Sequence, residues 1–554
     1  MKNHFILKIA LIAFLFFNCN IEINAQGNKK PIPKKPGIGT AAVKKPNAGS
    51  PSPIKNPATM VKKPGFDPSQ VGRAPGSYAI KVKLKGFKNT AIYLADNFGD
   101  KQYYRDTCFL DANGVGTFRG NPKLQRGLYM IVFPNAAGYY ELPITDDQDF
   151  YFEADTTLDE SKIKITGSEE NESFVAYQNI RRVYGEKRYN LERNYKDAKE
   201  AGDQNTITSL KREIDTLEAQ DTRYREGYAR QYPNYYLTKL FTAFKQIIVP
   251  KPTDSNDSMF EYRYYKNHFW DNVDFSEDGL IRAPQGLLVM KLNDFIDKVT
   301  LQDPDSLTNA VSYIINKTRP YTETQKYFVQ YLTNKFQDRK IMCQDNVTIH
   351  MINNFYCTGK AWWYNDTAEL RKMCEEGKKA IPTMCGRTAP DLNMSDTAGK
   401  MHRLYENLGK NLTILFFYDP TCGHCKEVIP VVNAVFQKHK LNGITVYAVS
   451  TENKYEEWRE MMRKRPELNE WINVCKTDRY YPWPINKYDY NIIANPTLFV
   501  LDNNAKIIGK KIDEHQLEFF IESLLFEKGI IKDKPVPPSD KKEESSKVES
   551  KDTH

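Results

Sequence analysis

The pattern of apolar and polar positions changes character twice along the chain, giving three stretches. From Ser77 to Gly167 apolar residues alternate with polar ones in short runs: "YAIKVKLKGF", "TAIYLAD", "GTFRGN", "GLYMIVFP", "FYFEAD" and "KIKITG". Turn residues separate them, as in Asp111-Ala112-Asn113-Gly114. Short, regularly spaced strands of period two predict an antiparallel β-sandwich over 77–168. Near Ser168-Glu169-Glu170-Asn171 the spacing of apolar positions becomes three and four. "NESFVAYQNIRRVYGEKRYNLERNYKDAKEAG" and "NTITSLKREIDTLEAQDTRYREGYARQYP" predict two polar helices, broken at Gly202 and Pro233. The helical pattern continues through "GLLVMKLNDFIDKV", "SLTNAVSYIINKT", "TQKYFVQYLTNKF" and "NVTIHMINNFYCTG", defining a helical middle domain over 169–382. Its aromatic positions Tyr189, Tyr195, Tyr224 and Tyr228 read as packing surface, with an aromatic ligand cage as the alternative.

From Thr383 strands and helices alternate. A strand over Leu412 to Tyr418 leads to a helix over Cys425 to Lys440 and a strand over Ile444 to Ser450. A helical insertion, the hairpin "NPTLFVLDNNAKIIGKKID" and a closing helix over His515 to Lys528 complete an α/β domain, 383–528. The fold class expected is therefore multidomain: antiparallel β-sandwich, helical middle domain, C-terminal α/β domain.

The ends of the chain read differently. Lys2 and Lys8, the apolar run Ile9 to Phe17 and Ile23-Asn24-Ala25 make residues 1–25 a signal peptide, cleaved after Ala25. Cys19 raises a lipid-anchored alternative, against which Asn18 is a poor residue to precede a lipidated cysteine. Residues 26–76 hold ten basic residues against Asp67 alone, a surplus equal to the whole formal net charge of +9. The charge thus belongs to a Lys-Pro linker too poor in apolar residues to build a core, not to a nucleic-acid groove. A second charged tail covers 529–554. Export places the chain in the periplasm or cell envelope.

An exported chain can keep disulfides. Without Cys19 there remain Cys108, Cys343, Cys357, Cys374, Cys385, Cys422, Cys425 and Cys475. Only one pair sits in a CxxC, in "FFYDPTCGHCKEVIP". Cysteines at i and i+3 that open a helix can bridge across one turn. The first stands at the positive helix end, where a thiolate is favoured, and the second lies a turn inside. Cys422 therefore reads as the attacking thiol and Cys425 as the resolving one. His424 between them can stabilise a thiolate, and Glu427 is a candidate proton acceptor. Asn495-Pro496-Thr497 precedes a β run, a suitable place for a cis proline whose backbone faces the dithiol. Pro496, with Asn495, Thr497 and Thr421, is the expected docking edge. The expected redox group is the Cys422–Cys425 pair itself, with no added cofactor and no metal.

The residues "GRTAPDL", "TILFFYDPTCGHCK", Pro430 and "NPTLFVLDNNAKII" resemble the thioredoxin-fold domain of TlpA/ResA-like extracytoplasmic thiol-disulfide oxidoreductases. The dipeptide Gly423-His424 is that of protein disulfide isomerases. The β-rich and helical parts resemble, with less specificity, accessory domains that precede such domains in envelope proteins. The resemblance implies a thioredoxin fold and an enzyme that reduces or exchanges disulfides of exported proteins. It further implies a membrane thiol electron donor, and a homodimer is compatible with it. His424 leans toward isomerase or oxidase chemistry, the family toward reduction. Two residues depart from the thioredoxin pattern. Phe416 stands where a buried acid normally helps deprotonate the resolving thiol, and Thr421 stands where tryptophan normally precedes the first cysteine.

Competing readings are weaker in the residues. Zinc needs a second close pair of ligands, and Cys374 and Cys385 are too far apart in sequence to be one. A peroxidase lacks the proline-threonine spacing before the cysteine. A non-catalytic adaptor in an envelope complex is the remaining alternative. Cys108 and Cys475 read as buried. Cys343, Cys357, Cys374 and Cys385 form either two bridges or buried thiols, and sequence cannot pair them.

Overall fold

The computed structural model describes residues 76–537 apart from 135–137, 158, 253, 255, 339–340, 452–453 and 476–489. The leader expected at 1–25, the linker up to residue 75 and the end of the C-terminal tail lie outside the described residues. The chain divides into two compact units, 1–292 and 293–554.

In the first unit eight strands form two four-stranded sheets, ordered β4-β1-β7-β8 and β3-β2-β5-β6. They are β1 (Tyr78–Leu84), β2 (Ala91–Phe98), β3 (Lys101–Phe109), β4 (Val115–Gly120), β5 (Gly127–Val132), β6 (Tyr139–Ile144), β7 (Asp149–Ala154) and β8 (Lys164–Thr166). Alternate residues of both sheets, among them Ile80, Val82, Ile92, Leu94, Phe118, Ile131, Leu142 and Phe152, close on one apolar core. One pairing departs from the antiparallel expectation: β1 and β7 run parallel. The alternating pattern does not extend to β3 or β6. Strand β3 is an edge, exposed at nearly every position except Cys108, so no alternation marks it. Strand β6 contains Pro143, tolerated because β6 is the other edge of the same sheet.

Two long helices follow, α1 (Glu169–Ala201) and α2 (Gln204–Gln231). Gly202 ends α1 in the left-handed conformation with φ 72°, and Asp203 caps α2 through the backbone N–H groups of Asn205 and Thr206. Tyr228 is buried with Tyr177 and Phe241 in an aromatic cluster, whereas Tyr189 is 53 % exposed. The aromatic stripe is thus packing surface only near Tyr177. Toward Gly202 the two helices are exposed at most positions. Helices α3 (Tyr236–Ala243) and α4 (Phe260–His268) complete this unit, and α5 (Leu287–Asp294) spans the division.

The second unit begins with α6 (Pro304–Lys317), α7 (Glu323–Gln337), α8 (Asp345–Met351) and α9 (Thr367–Ala380). The four cysteines left unpaired by sequence form two disulfides here, Cys343–Cys385 and Cys357–Cys374. Chain-entropy arguments assign loops of these lengths stabilisation of roughly 4 and 3 kcal/mol.

A seven-stranded sheet then runs β10-β9-β13-β12-β11-β14-β15. Its strands are β9 (Asn393–Ser395), β10 (Met401–Arg403), β11 (Leu412–Tyr418), β12 (Ile444–Ser450), β13 (Ile472–Cys475), β14 (Thr497–Asp502) and β15 (Ile507–Lys510). Its helices are α10 (Gly423–His439), α11 (Tyr455–Lys464) and α12 (Glu514–Glu527). Central β11 is buried at every position, which explains its run of apolar residues interrupted only by Thr413. Leu412, Ile414, Phe416 and Tyr418 enter the core under α10, while Leu415 and Phe417 enter the core of the opposite face. Strand β11 lies between parallel β12 and antiparallel β14, so the chain leaves its carboxyl end directly into the CxxC turn. Cys475 ends β13 and is fully buried.

Candidate active site

Tyr418 ends β11, and Asp419 to Thr421 turn the chain into α10. Thr421 donates to the Asp419 carboxylate through its backbone N–H at 2.7 Å and its hydroxyl at 2.8 Å. Lys454 joins the same knot, 3.1 Å from Asp419 Oδ2 and 2.6 Å from Thr421 Oγ1. Burial works to raise the Asp419 carboxyl, but these bonds outweigh it and hold the group below the usual carboxylate range. Thr421 is therefore an exposed side chain anchored by a carboxylate and an ammonium.

Cys422 is the N-cap of α10, with extended backbone angles, φ −68° and ψ 128°. Its sulfur accepts from the Cys425 backbone N–H at 3.4 Å, satisfying one of the free donors at the helix start. The same sulfur lies 3.8 Å from the carbonyl oxygen of Asn495, placed to donate its thiol proton there. Cys422 is partly exposed and Cys425 is completely buried. Burial pushes the Cys425 thiol up to about 12, opposed by a hydrogen bond from the Asp419 backbone and reinforced by the Cys422 sulfur. One sulfur is presented to solvent and the other is held behind it as a thiol.

The Asn495–Pro496 peptide is cis. The Asn495 side-chain amide donates to Thr451 Oγ1 at 2.7 Å, and Thr451 N–H donates to the Tyr418 carbonyl at 2.9 Å. The carbonyl facing Cys422 is thus tied back to the end of β11. Thr497 opens β14, its hydroxyl donating to the Ala494 carbonyl at 2.6 Å.

His424 is exposed and turned toward the last helix. Its Nε2 lies 3.0 Å from Glu514 Oε1. The bond to Glu514 raises the imidazole above its usual value and lowers the Glu514 carboxyl correspondingly. Glu427 is exposed on α10, and its charge acts on His424. The acidic residue whose charge bears on Cys425 is Asp419. Phe416 is buried, stacked on Tyr418 with ring centroids 5.3 Å apart, so an aromatic side chain fills the place of the usual acid. Sequence reasoning missed Glu514, Lys454 and Thr451. Each reaches the site from a segment far along the chain, and no local spacing marks it.

Cys108 is buried in the first unit, and burial raises its thiol to about 11. Among the described residues no group of three or more His, Cys, Asp or Glu side chains could hold a metal ion.

A central strand, a helix capped by the first cysteine of a CxxC and a cis proline opposite it define a thioredoxin-fold dithiol site. Residues 385–509 match the AhpC/TSA family, and residues 204–379 match a domain of unknown function, DUF5106. The thiol-disulfide oxidoreductase ResA of Geobacillus thermodenitrificans (strain NG80-2) is 29 % identical over 132 residues, 23 % of this chain and 67 % of that protein. ResA of Geobacillus kaustophilus (strain HTA426) is 26 % identical over 147 residues, 25 % of this chain and 77 % of that protein. A solved domain of a possible thiol-disulfide isomerase from Cytophaga hutchinsonii ATCC 33406 is 37 % identical, with a TM-score of 0.24, covering 27 % of this chain and 97 % of that one. A thioredoxin-like protein from Bacteroides caccae ATCC 43185 is 18 % identical, with a TM-score of 0.36, covering 51 % of this chain and 99 % of that one. The chain is a TlpA/ResA-like thiol-disulfide oxidoreductase, the likeness lying in its C-terminal domain.

Proposed function

We propose that this protein reduces or exchanges disulfides of exported proteins in the cell envelope through Cys422 and Cys425. The observation that carries the reading is the unequal setting of the two sulfurs: Cys422 is partly exposed at the helix N-terminus, and Cys425 is buried one turn inside. The Cys422 thiolate attacks a partner disulfide, forming a mixed disulfide and releasing one partner thiol. Cys425 then attacks the Cys422 sulfur, closing the Cys422–Cys425 disulfide and releasing the second partner thiol. A thiol donor at the membrane restores the dithiol.

The Asn495 carbonyl, cis Pro496, Thr497 and the anchored Thr421 form the edge that receives the partner backbone. His424, held by Glu514, supplies positive charge beside the dithiol and favours its reduced form. The exported location rests on the leader at 1–25. Among the described residues no helix is long and apolar enough to cross a membrane.

The test is a pair of variants of the full chain acting on a model disulfide protein. Cys422→Ser abolishes reduction, and Cys425→Ser accumulates covalent mixed disulfides with the substrate. Full activity of Cys422→Ser contradicts the assignment. Partner binding unchanged in both variants, with no dithiol turnover in the wild type, would make the chain an adaptor.

A further inference from the structure

Two residues of one short connection reach the dithiol from different directions. Strand β12 ends at Ser450 and α11 begins at Tyr455. Between them, Thr451 bonds Asn495, which lies ahead of β14, and Lys454 bonds Asp419 and Thr421, which lie ahead of α10. Both contacts bear on the surroundings of one sulfur. The Asn495 carbonyl oxygen stands 3.8 Å from Cys422 Sγ, and Thr421 is the residue before Cys422.

The hydrogen bonds of Thr451 have one consistent polarity. Its hydroxyl accepts from the Asn495 amide at 2.7 Å and donates to the Tyr418 carbonyl at 3.3 Å. The same carbonyl takes the Thr451 backbone N–H at 2.9 Å, so the residue is fixed to the end of β11 by two bonds. Among the described residues the Asn495 side-chain oxygen is buried without a partner, and the amide is held through its nitrogen alone. Ladder pairing of β14 with β11 begins only at Thr497, opposite Phe417. Asn495 and Pro496 therefore precede the sheet, and the Thr451 hydroxyl ties them back to it. Lys454 is less decisive, because Asp419 keeps two bonds from Thr421 without the ammonium.

We infer that Thr451 is a positioning residue for the dithiol reaction, its hydroxyl holding the Asn495 carbonyl and Pro496 where a partner backbone docks. It governs how tightly a disulfide protein is bound, not how fast the bound disulfide is exchanged. The inference rests on the dithiol mechanism proposed above. No bond is made or broken at Thr451, and no proton leaves it.

The experiment is single-turnover reduction of a model disulfide protein by the pre-reduced full chain, followed against substrate concentration. Alkylation of Cys422 by iodoacetamide, which needs no docking edge, reports on the thiol itself. Thr451→Val can neither accept nor donate. It raises the half-saturating concentration about tenfold, the equivalent of one lost hydrogen bond. The limiting rate and Cys422 alkylation stay within about twofold of wild type, the signature of lost binding alone. Thr451→Ser, which keeps the hydroxyl, binds close to wild type. Asn495→Ala removes the other end of the same bond and matches Thr451→Val, and the double variant is no worse than either. Lys454→Met weakens binding less than Thr451→Val. Should Thr451→Val fail to fold, the contrast between Asn495→Ala and Thr451→Ser decides. Unchanged binding in Thr451→Val, equal loss in Thr451→Ser, or additive losses in the double variant would overturn the inference. So would a fall in limiting rate or alkylation parallel to the loss of binding. Failure of the wild type to form a mixed disulfide at Cys422 would instead overturn the proposed function.

Discussion

The backbone N–H of Cys425 points at the Cys422 sulfur across 3.4 Å, so the helix is capped by one member of its own dithiol. Two consequences of Cys422 can therefore be separated. A serine oxygen keeps the cap, whereas alanine removes it at a cost of about 1 kcal/mol. Cys422→Ser should retain thermal stability close to wild type with no disulfide reduction. Cys422→Ala should lose both, which denaturant titration and an activity assay on the same samples would report.

The His424–Glu514 pair makes a pH-dependent prediction. The imidazole is raised by Glu514, so its contribution to stability is complete below its unfolded value and fades as pH climbs through its folded value. The Glu514 carboxyl is lowered by His424, so its contribution is present above its unfolded value and fades as pH falls through its folded value. The pair is strongest between those limits. Glu514→Gln should bring the His424 titration down toward that of an ordinary imidazole, read from its ring resonances. An unmoved titration would separate the two residues.

Much of this site could be read in the sequence because its signals are local. The buried run Leu412 to Tyr418, the CxxC at the helix start and Asn495-Pro496 each announce themselves within a few residues. Predicted and observed helix limits differ only slightly, Gly423–His439 being found where Cys425 to Lys440 was expected. The remainder depends on approach through space. Glu514 meets His424 from 90 positions away, and Thr451 holds Asn495 across 44. No periodicity encodes such pairs, just as none marks edge strands β3 and β6.

The disulfides of the second unit should matter to its stability rather than to the chemistry at Cys422. Replacing Cys357 and Cys374 together by serine is expected to cost about 3 kcal/mol, and the Cys343–Cys385 pair about 4 kcal/mol. Denaturant midpoints of the isolated double variants check this ordering.

In the first unit a buried carboxylate is the sensitive point. Asp96 is fully buried and bonds Arg282 at 2.7 Å and Arg105 at 2.8 Å. Asp96→Ala would remove the buried carboxylate that bonds both Arg282 and Arg105 and should destabilise this unit by about 3–5 kcal/mol. Urea unfolding followed by a probe confined to the β-sandwich would measure it.

The most direct measurement of the central claim is a redox titration of the full chain in glutathione buffers, with each cysteine mapped by trapping and mass spectrometry. The account predicts one reversible couple, Cys422–Cys425, while Cys343–Cys385 and Cys357–Cys374 stay closed and Cys108 and Cys475 stay reduced. A chain whose Cys422 and Cys425 never join at any glutathione ratio would contradict it.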